Sequence, residues 1–237
     1  MPNGVNWDLW LGPRSNRPYS SAYTPVTWRD YFDFGTAPIG DFFCHNFDPA
    51  CWALDLKEPD TIEAFGAGGV DKEIAPPGAI YYFTFPARGK MPPVKFTWYD
   101  GSMMPPRPEG LDHDDQLGAG GNGTLFIGDK GMITCPGWAG APRLLPGSRH
   151  ESYKRPEKTL PRSKGHHRDW IDAIKGGPPA SGNFEYGGVL SEIGLLGLVA
   201  LRARKKIYWD SKLLKATNAS DAEQYIKESY RPGWEPA

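Results

Sequence analysis

The chain has 237 residues and a formal net charge of −1, enough length to bury a full core and too little charge excess to argue for nucleic acid or an anionic membrane as partner. Aromatics make up 13% of it, with nine Trp and eleven Tyr, which suits either a packed core or walls against the C–H faces of sugar rings. The three cysteines, Cys44, Cys51 and Cys135, are odd in number and contain no Cys-x-x-Cys, so they give neither a disulfide framework nor a zinc site.

Residues 1–30 are rich in Pro, Gly, Asn and aromatics with no clear period. They read as an ordered loop entering an existing fold, packed through Trp7, Trp10, Tyr19, Tyr23 and Trp28. No signal-peptide pattern opens the chain. Residues 39–56 read as helix. Asp41, His45 and Asp48 stand at i, i+4 and i+7, within roughly 60° of one another on a helical wheel. Trp52 and Asp55 would continue that stripe, while Phe43, Phe47, Ala50 and Leu54 form an apolar opposite side. Pro49 either kinks this helix or starts a second one, with Asp48 as N-cap. In both cases Asp41 and His45 share an unbroken turn.

Residues 61–69, Ala79 to Phe85 and Val94 to Tyr99 alternate as strands, separated by Pro and Gly clusters, and suggest an antiparallel meander. Residues 101–122 read as a polar loop. Thr124 to Ile127 and Met132 to Cys135 flank the turn Gly128-Asp-Lys-Gly131 as a hairpin. Little regular structure is expected over residues 136–164. His166 to Lys175 is an amphipathic helix stopped by Gly176-Gly-Pro-Pro179. Tyr186 to Arg204 is a long apolar helix whose apolar run, near Val189 to Leu201, is broken by Ser191, Glu192 and glycines and so is not read as a membrane span. Arg202, Arg204, Lys205 and Lys206 close it, where cations suit the helix dipole. Lys206 to Trp209 is read as the last strand and Asp221 to Tyr230 as a short helix. The order implies an α+β fold: an open, largely antiparallel sheet with helices packed on one face. A single domain over residues 1–237 follows, with its core in residues 31–210 and a C-terminal helix and tail in 211–237.

Gly118-Ala-Gly-Gly-Asn-Gly123 fits Gly-x-Gly-x-x-Gly in letters only, because a polar loop precedes it and a strand follows. Gly66-Ala-Gly-Gly69 also lacks a following helix. The chain therefore shows no nucleotide-binding domain of its own. His113-Asp114-Asp115 reads as an exposed loop rather than a metal site, and no metal ligand set is expected. His166-His167 opens a helix, where one ring could face a site. A carboxylate one turn from an imidazole serves either proton transfer or plain structural satisfaction of a histidine, and geometry alone leaves both open.

The run Asp33-Phe-Gly-Thr-x-x-x-Gly-Asp-x-x-x-His-x-x-Asp-Pro resembles the C-terminal domain of the Gfo/Idh/MocA oxidoreductase family. So do Trp7-Asp-Leu-Trp-Leu-Gly-Pro13, Gly128-Asp-Lys-Gly131, Gly165-His-His-Arg-Asp-Trp170 and Asn183-Phe-Glu-Tyr186, as found in a bacterial subgroup. The resemblance covers essentially the whole chain. It implies hydride transfer between a sugar or polyol and NAD or NADP, with the cofactor held mainly by a Rossmann domain supplied in cis or in trans. It implies Asp41 and His45 as catalytic residues, His45 as general base and Asp41 as its orienting carboxylate. Gly35 and Thr36 would pass near the nicotinamide, and Trp7, Trp10 and His167 would line the sugar pocket. The family's catalytic lysine, in Glu-Lys-Pro, has no counterpart here, since Glu157-Lys158 is followed by Thr159. Two rival readings stand beside this one: a non-redox keto-sugar hydratase or lyase using the same pair, and a binding or assembly module. A homo-oligomer is expected through the open sheet face, with Tyr81, Phe83, Phe96 and Trp98 as its residues. The compartment stays open: cytoplasmic on the residues present, exported if a preceding segment carries a signal.

Overall fold

The computed structural model describes residues 1–118, 120–227 and 229–235. In chain order its helices are α1 (Trp7–Leu11), α2 (Ala37–Ala53), α3 (Gly147–Ser152), α4 (His166–Ile174) and α5 (Phe184–Ala203). Its strands are β1 (Thr61–Gly66), β2 (Ala79–Phe85), β3 (Val94–Tyr99), β4 (Gly123–Gly128), β5 (Gly131–Pro136), β6 (Arg143–Leu145), β7 (Ile207–Asp210) and β8 (Lys215–Ala216). The chain forms two compact units, one of residues 1–44, 58–105 and 193–237, the other of 45–57 and 106–192.

The first unit holds an open five-stranded antiparallel sheet in the order β3-β2-β1-β7-β8. Its register decides which side is core. Tyr81 pairs with Trp98 and Phe83 with Phe96, so these four side chains share one face. Phe43 of α2 lies against that face, its ring centroid 6.0 Å from Phe83, 5.9 Å from Phe96 and 5.4 Å from Trp98. The expected oligomer residues Tyr81, Phe83, Phe96 and Trp98 therefore lie on the helix-covered side; Tyr81 and Phe83 are each only 1% exposed. The uncovered side carries Phe65, Ile80, Tyr82, Tyr99 and Tyr208 instead, with Phe65 opposite Ile80 and Ile80 opposite Tyr99. The physical reason is strand periodicity: Tyr81 and Phe83 belong to the more apolar of the two alternating sets in β2, and that set is the one a core recruits.

Two glycines let α5 approach this layer. A Cβ on Gly194 would lie 2.9 Å from the Phe43 ring, and one on Gly197 would lie 2.7 Å from Ile39 and 3.0 Å from Phe83. By length and composition α5 could cross a membrane, yet half of its apolar window is buried inside the protein, as in a core helix. Basic residues in and just after its last turn are absorbed locally. Arg202 lies over Phe32 and Tyr225, and Lys205 pairs with Asp221 at 2.7 Å.

The second unit contains a three-stranded antiparallel sheet, β4-β5-β6. The expected hairpin is present. β6 and α3 fall where little regular structure is expected, because β6 is three residues long and exists only through its pairing with β5, a long-range signal. Likewise β8 follows the supposed last strand and pairs with β7. The terminal helix is a 3-10 turn at Ser220–Tyr225; residue 228 of the expected span lies outside the described residues. The N-terminal loop contains α1, capped by the Asn6 side chain, which accepts the Leu9 N–H at 3.2 Å. No disulfide joins the cysteines.

Candidate active site

The site is built on the entry to α2. Gly35 N–H donates to the Tyr31 carbonyl at 2.7 Å, and any Cβ on Gly35 would strike the Arg29 carbonyl and lie 2.6 Å from its Cα. Only glycine lets the chain close there. One turn on, Gly40 leaves room for the Thr36 side chain, which a Cβ would overlap. Gly35 and Thr36 thus have a structural task at the helix entrance, whatever they border besides.

From this entrance α2 runs through Pro49 as one helix. Asp48 is therefore not an N-cap. Its Oδ1 accepts a hydrogen bond from the Tyr186 hydroxyl at 2.5 Å. Burial, with Asp48 beside it, pushes the Tyr186 hydroxyl far above the usual tyrosine range, so it serves as a neutral donor. Pro49 cannot donate to the His45 carbonyl, but Phe47, Ala50 and Cys51 are buried around it and hold the helix on course. The stripe continues to Trp52, which is exposed and still within α2, and ends there, because Asp55 lies beyond the helix with φ 47°.

Asp41 and His45 lie one turn apart on α2, and both are exposed. Arg29 meets Asp41, Nε to Oδ2, at 3.4 Å. The His45 ring lies 6.2 Å from Trp138. Beside it, buried Asn46 donates from Nδ2 to Asn122 Oδ1 at 3.3 Å, and the Thr124 hydroxyl donates to the Asn46 carbonyl. Sequence reasoning gave no role to Arg29, Trp138 or Asn46. Trp28-Arg29-Asp30 offers no periodic signal, and Trp138 sits in an irregular stretch. Of the proposed sugar-lining residues, Trp7 is committed to packing. Its indole N–H donates to the Arg17 carbonyl at 2.8 Å and its ring meets Tyr19 edge-on at 5.1 Å. Trp10 is 38% exposed and better placed to offer a ring face. His167 stands exposed at the start of α4, its ring 4.0 Å from that of His166. His113 and Asp114 contact each other in solvent, while Asp115 pairs with Arg143 at 2.5 Å. Among the described residues no three such side chains converge as metal ligands.

A dinucleotide needs a phosphate cradle, and the residues present do not fit one. The glycines at 118–123 fold back on themselves, with Gly118, Gly120 and Gly121 at φ 75°, 59° and 79°, and lead into β4 rather than into a helix. All strand pairs among the described residues are antiparallel, so no βαβ unit is built.

Open antiparallel sheets with helices packed against them make this an α+β fold. Residues 1–236 match the family described as the oxidoreductase family, C-terminal alpha/beta domain, and the chain belongs to it, as the C-terminal domain of a Gfo/Idh/MocA oxidoreductase. Enzymes of this family depend on NAD(P). Among curated proteins none matches the chain.

Proposed function

We propose that this chain is the substrate-binding and proton-transferring half of an NAD(P)-dependent sugar or polyol oxidoreductase. The observation that carries the reading is the placement of Asp41 and His45 one turn apart on a single continuous helix, exposed on one side while Ile39, Phe43 and Phe47 bury the other. One helix backbone sets a carboxylate and an imidazole a turn apart on the same exposed side, a spacing that suits general acid–base chemistry. His45 takes the proton of the substrate hydroxyl, because an imidazole nitrogen offers a lone pair to accept it. Asp41 orients the substrate or the imidazole. Trp10, whose ring is exposed, offers a face to the sugar, and Gly35 and Thr36 border the nicotinamide. The nicotinamide, when bound by a nucleotide-binding domain in cis or in trans, supplies the hydride acceptor.

The test is co-expression with an adjacent nucleotide-binding domain and a screen of NAD+ and NADP+ reduction over sugars and polyols. Reduction by the pair and none by this chain alone is expected. Turnover of 3-keto-glucose by this chain alone, lost in His45→Ala, would instead establish the non-redox lyase.

The same reading includes a homo-oligomer formed through the uncovered face of the five-stranded sheet. Support comes from Phe65, 58% exposed, and Tyr82, 42% exposed, whose rings meet at 6.2 Å amid Ile80, Tyr99 and Tyr208. Light scattering at micromolar concentration should show an oligomer that F65E/Y82E converts to monomer; a monomeric wild type contradicts this part.

A further inference from the structure

Arg29 sits outside every role assigned so far, although it is the cation that meets Asp41. Its backbone is pinned from two sides. On one, Gly35 is packed so closely that it has no room for a side chain. On the other, Asp30 O accepts from Ala75 N at 2.8 Å and Phe32 N donates to Glu73 O at 2.9 Å. Arg29 itself belongs to a 3-10 turn, Thr27–Asp30, closed by Tyr31 N donating to Trp28 O at 3.0 Å. The guanidinium is thus delivered from a fixed Cα.

Its contact with Asp41 is a poor candidate for a stabilising device. The side chains are 48% and 36% exposed and come closest from Nε to Oδ2 at 3.4 Å, longer than a charge-assisted hydrogen bond. What the contact supplies is a positive charge beside Asp41, delivered from a constrained backbone.

We propose that Arg29 is a positioning residue for Asp41, held in place by Gly35, and that it sets the direction in which the Asp41 carboxylate is presented on the α2 face it shares with His45. This rests on the reading of Asp41 and His45 as a working pair. The glycine before Thr36 then has a site-building purpose, since a side chain there would displace the residue that aims the carboxylate.

The test needs neither substrate nor cofactor. The 15N shifts of the His45 imidazole, assigned by their loss in His45→Gln, report its tautomer and hydrogen bonding in the intact chain. They are compared in wild type, Arg29→Gln, Arg29→Lys, Asp41→Asn, Gly35→Ala and the double variant R29Q/D41N, with thermal midpoints as a control for folding. Arg29→Gln is expected to move the nitrogens in the same direction as Asp41→Asn, Arg29→Lys to restore them, and Gly35→Ala to imitate Arg29→Gln. The double variant should match Asp41→Asn, because a residue acting through Asp41 has nothing left to act on. Nitrogens that stay put in Arg29→Gln while moving in Asp41→Asn overturn the role of Arg29 alone, as does an additive double variant. Nitrogens unmoved in Asp41→Asn overturn the Asp41/His45 pair and this inference with it.

Discussion

Asp100 shows how a single buried group ties the core to pH. It lies just past β3, 8% exposed, with Oδ1 accepting the Ala79 N–H at 2.7 Å. Its Oδ2 has Tyr81 and Trp98 as neighbours but no well-aligned donor among the described residues. Burial raises the Asp100 carboxyl above the ordinary carboxylate range, against the smaller opposing pull of the Ala79 N–H. A folded-state value above the unfolded one means that the protonated form favours folding. That contribution is complete below about pH 4, the unfolded carboxylate value, and is lost as pH rises through the folded value. Thermal midpoints across pH should therefore fall, on leaving acid, more steeply in wild type than in Asp100→Asn. Parallel profiles would remove Asp100 from the pH dependence. Single residues were only partly legible in the sequence. That Asp41 and His45 share one helical turn was legible from their spacing, whereas the Asp48 partner, Tyr186, lies far along the chain and is revealed only by folding.

At the scale of elements, the predicted strands 79–85 and 94–99 and the two long helices match the structure closely, because the strands alternate and the helices are long, largely apolar runs. What failed was assignment of faces and of short elements. In β2 both alternating sets contain aromatics, so the inward set had to be chosen by degree of apolarity, and β6 and β8 exist through pairing rather than local preference. Pro49 suggested a break that tertiary packing overrode. The apolar helix α5 carries a sharper prediction. Gly197 faces Ile39, Tyr81 and Phe83 at distances that no side chain tolerates without movement. Gly197→Val should destabilise the fold by about 1–3 kcal/mol through overpacking, measured by urea denaturation. Gly187 and Gly188, with nothing near their missing Cβ atoms, should accept Ala without such loss. A Gly197→Val variant as stable as wild type would contradict the close packing of α5 on the sheet.

On the scale of the whole molecule, the C-terminal tail is tied to the N-terminal aromatic segment. The Arg231 guanidinium donates to Asp8 Oδ1 at 2.6 Å, Asp8 O at 2.8 Å, Asn16 Oδ1 at 2.7 Å and Gly12 O at 2.6 Å, and lies 5.0 Å from the Trp234 ring centroid. Its side chain is only 13% exposed, so these bonds are worth more than surface contacts. Arg231→Ala should loosen α1 by about 2 kcal/mol, seen as roughly 30-fold faster amide exchange at residues 8–14 with β2 unchanged. Equal acceleration in β2 would show global unfolding instead and refute a local tie. No sequence pattern announces this connection, since both ends read as loops.

The central claim is that this domain supplies proton transfer through His45 to a reaction whose hydride acceptor is held elsewhere. The most direct measurement is kcat for NAD(P)+ reduction by this chain assembled with a nucleotide-binding domain supplied in cis or in trans, in wild type and His45→Ala. Loss of the general base should lower kcat by about 10²- to 10⁴-fold while the thermal midpoint holds. A variant that keeps kcat within about twofold of wild type would contradict the role of His45 in proton transfer.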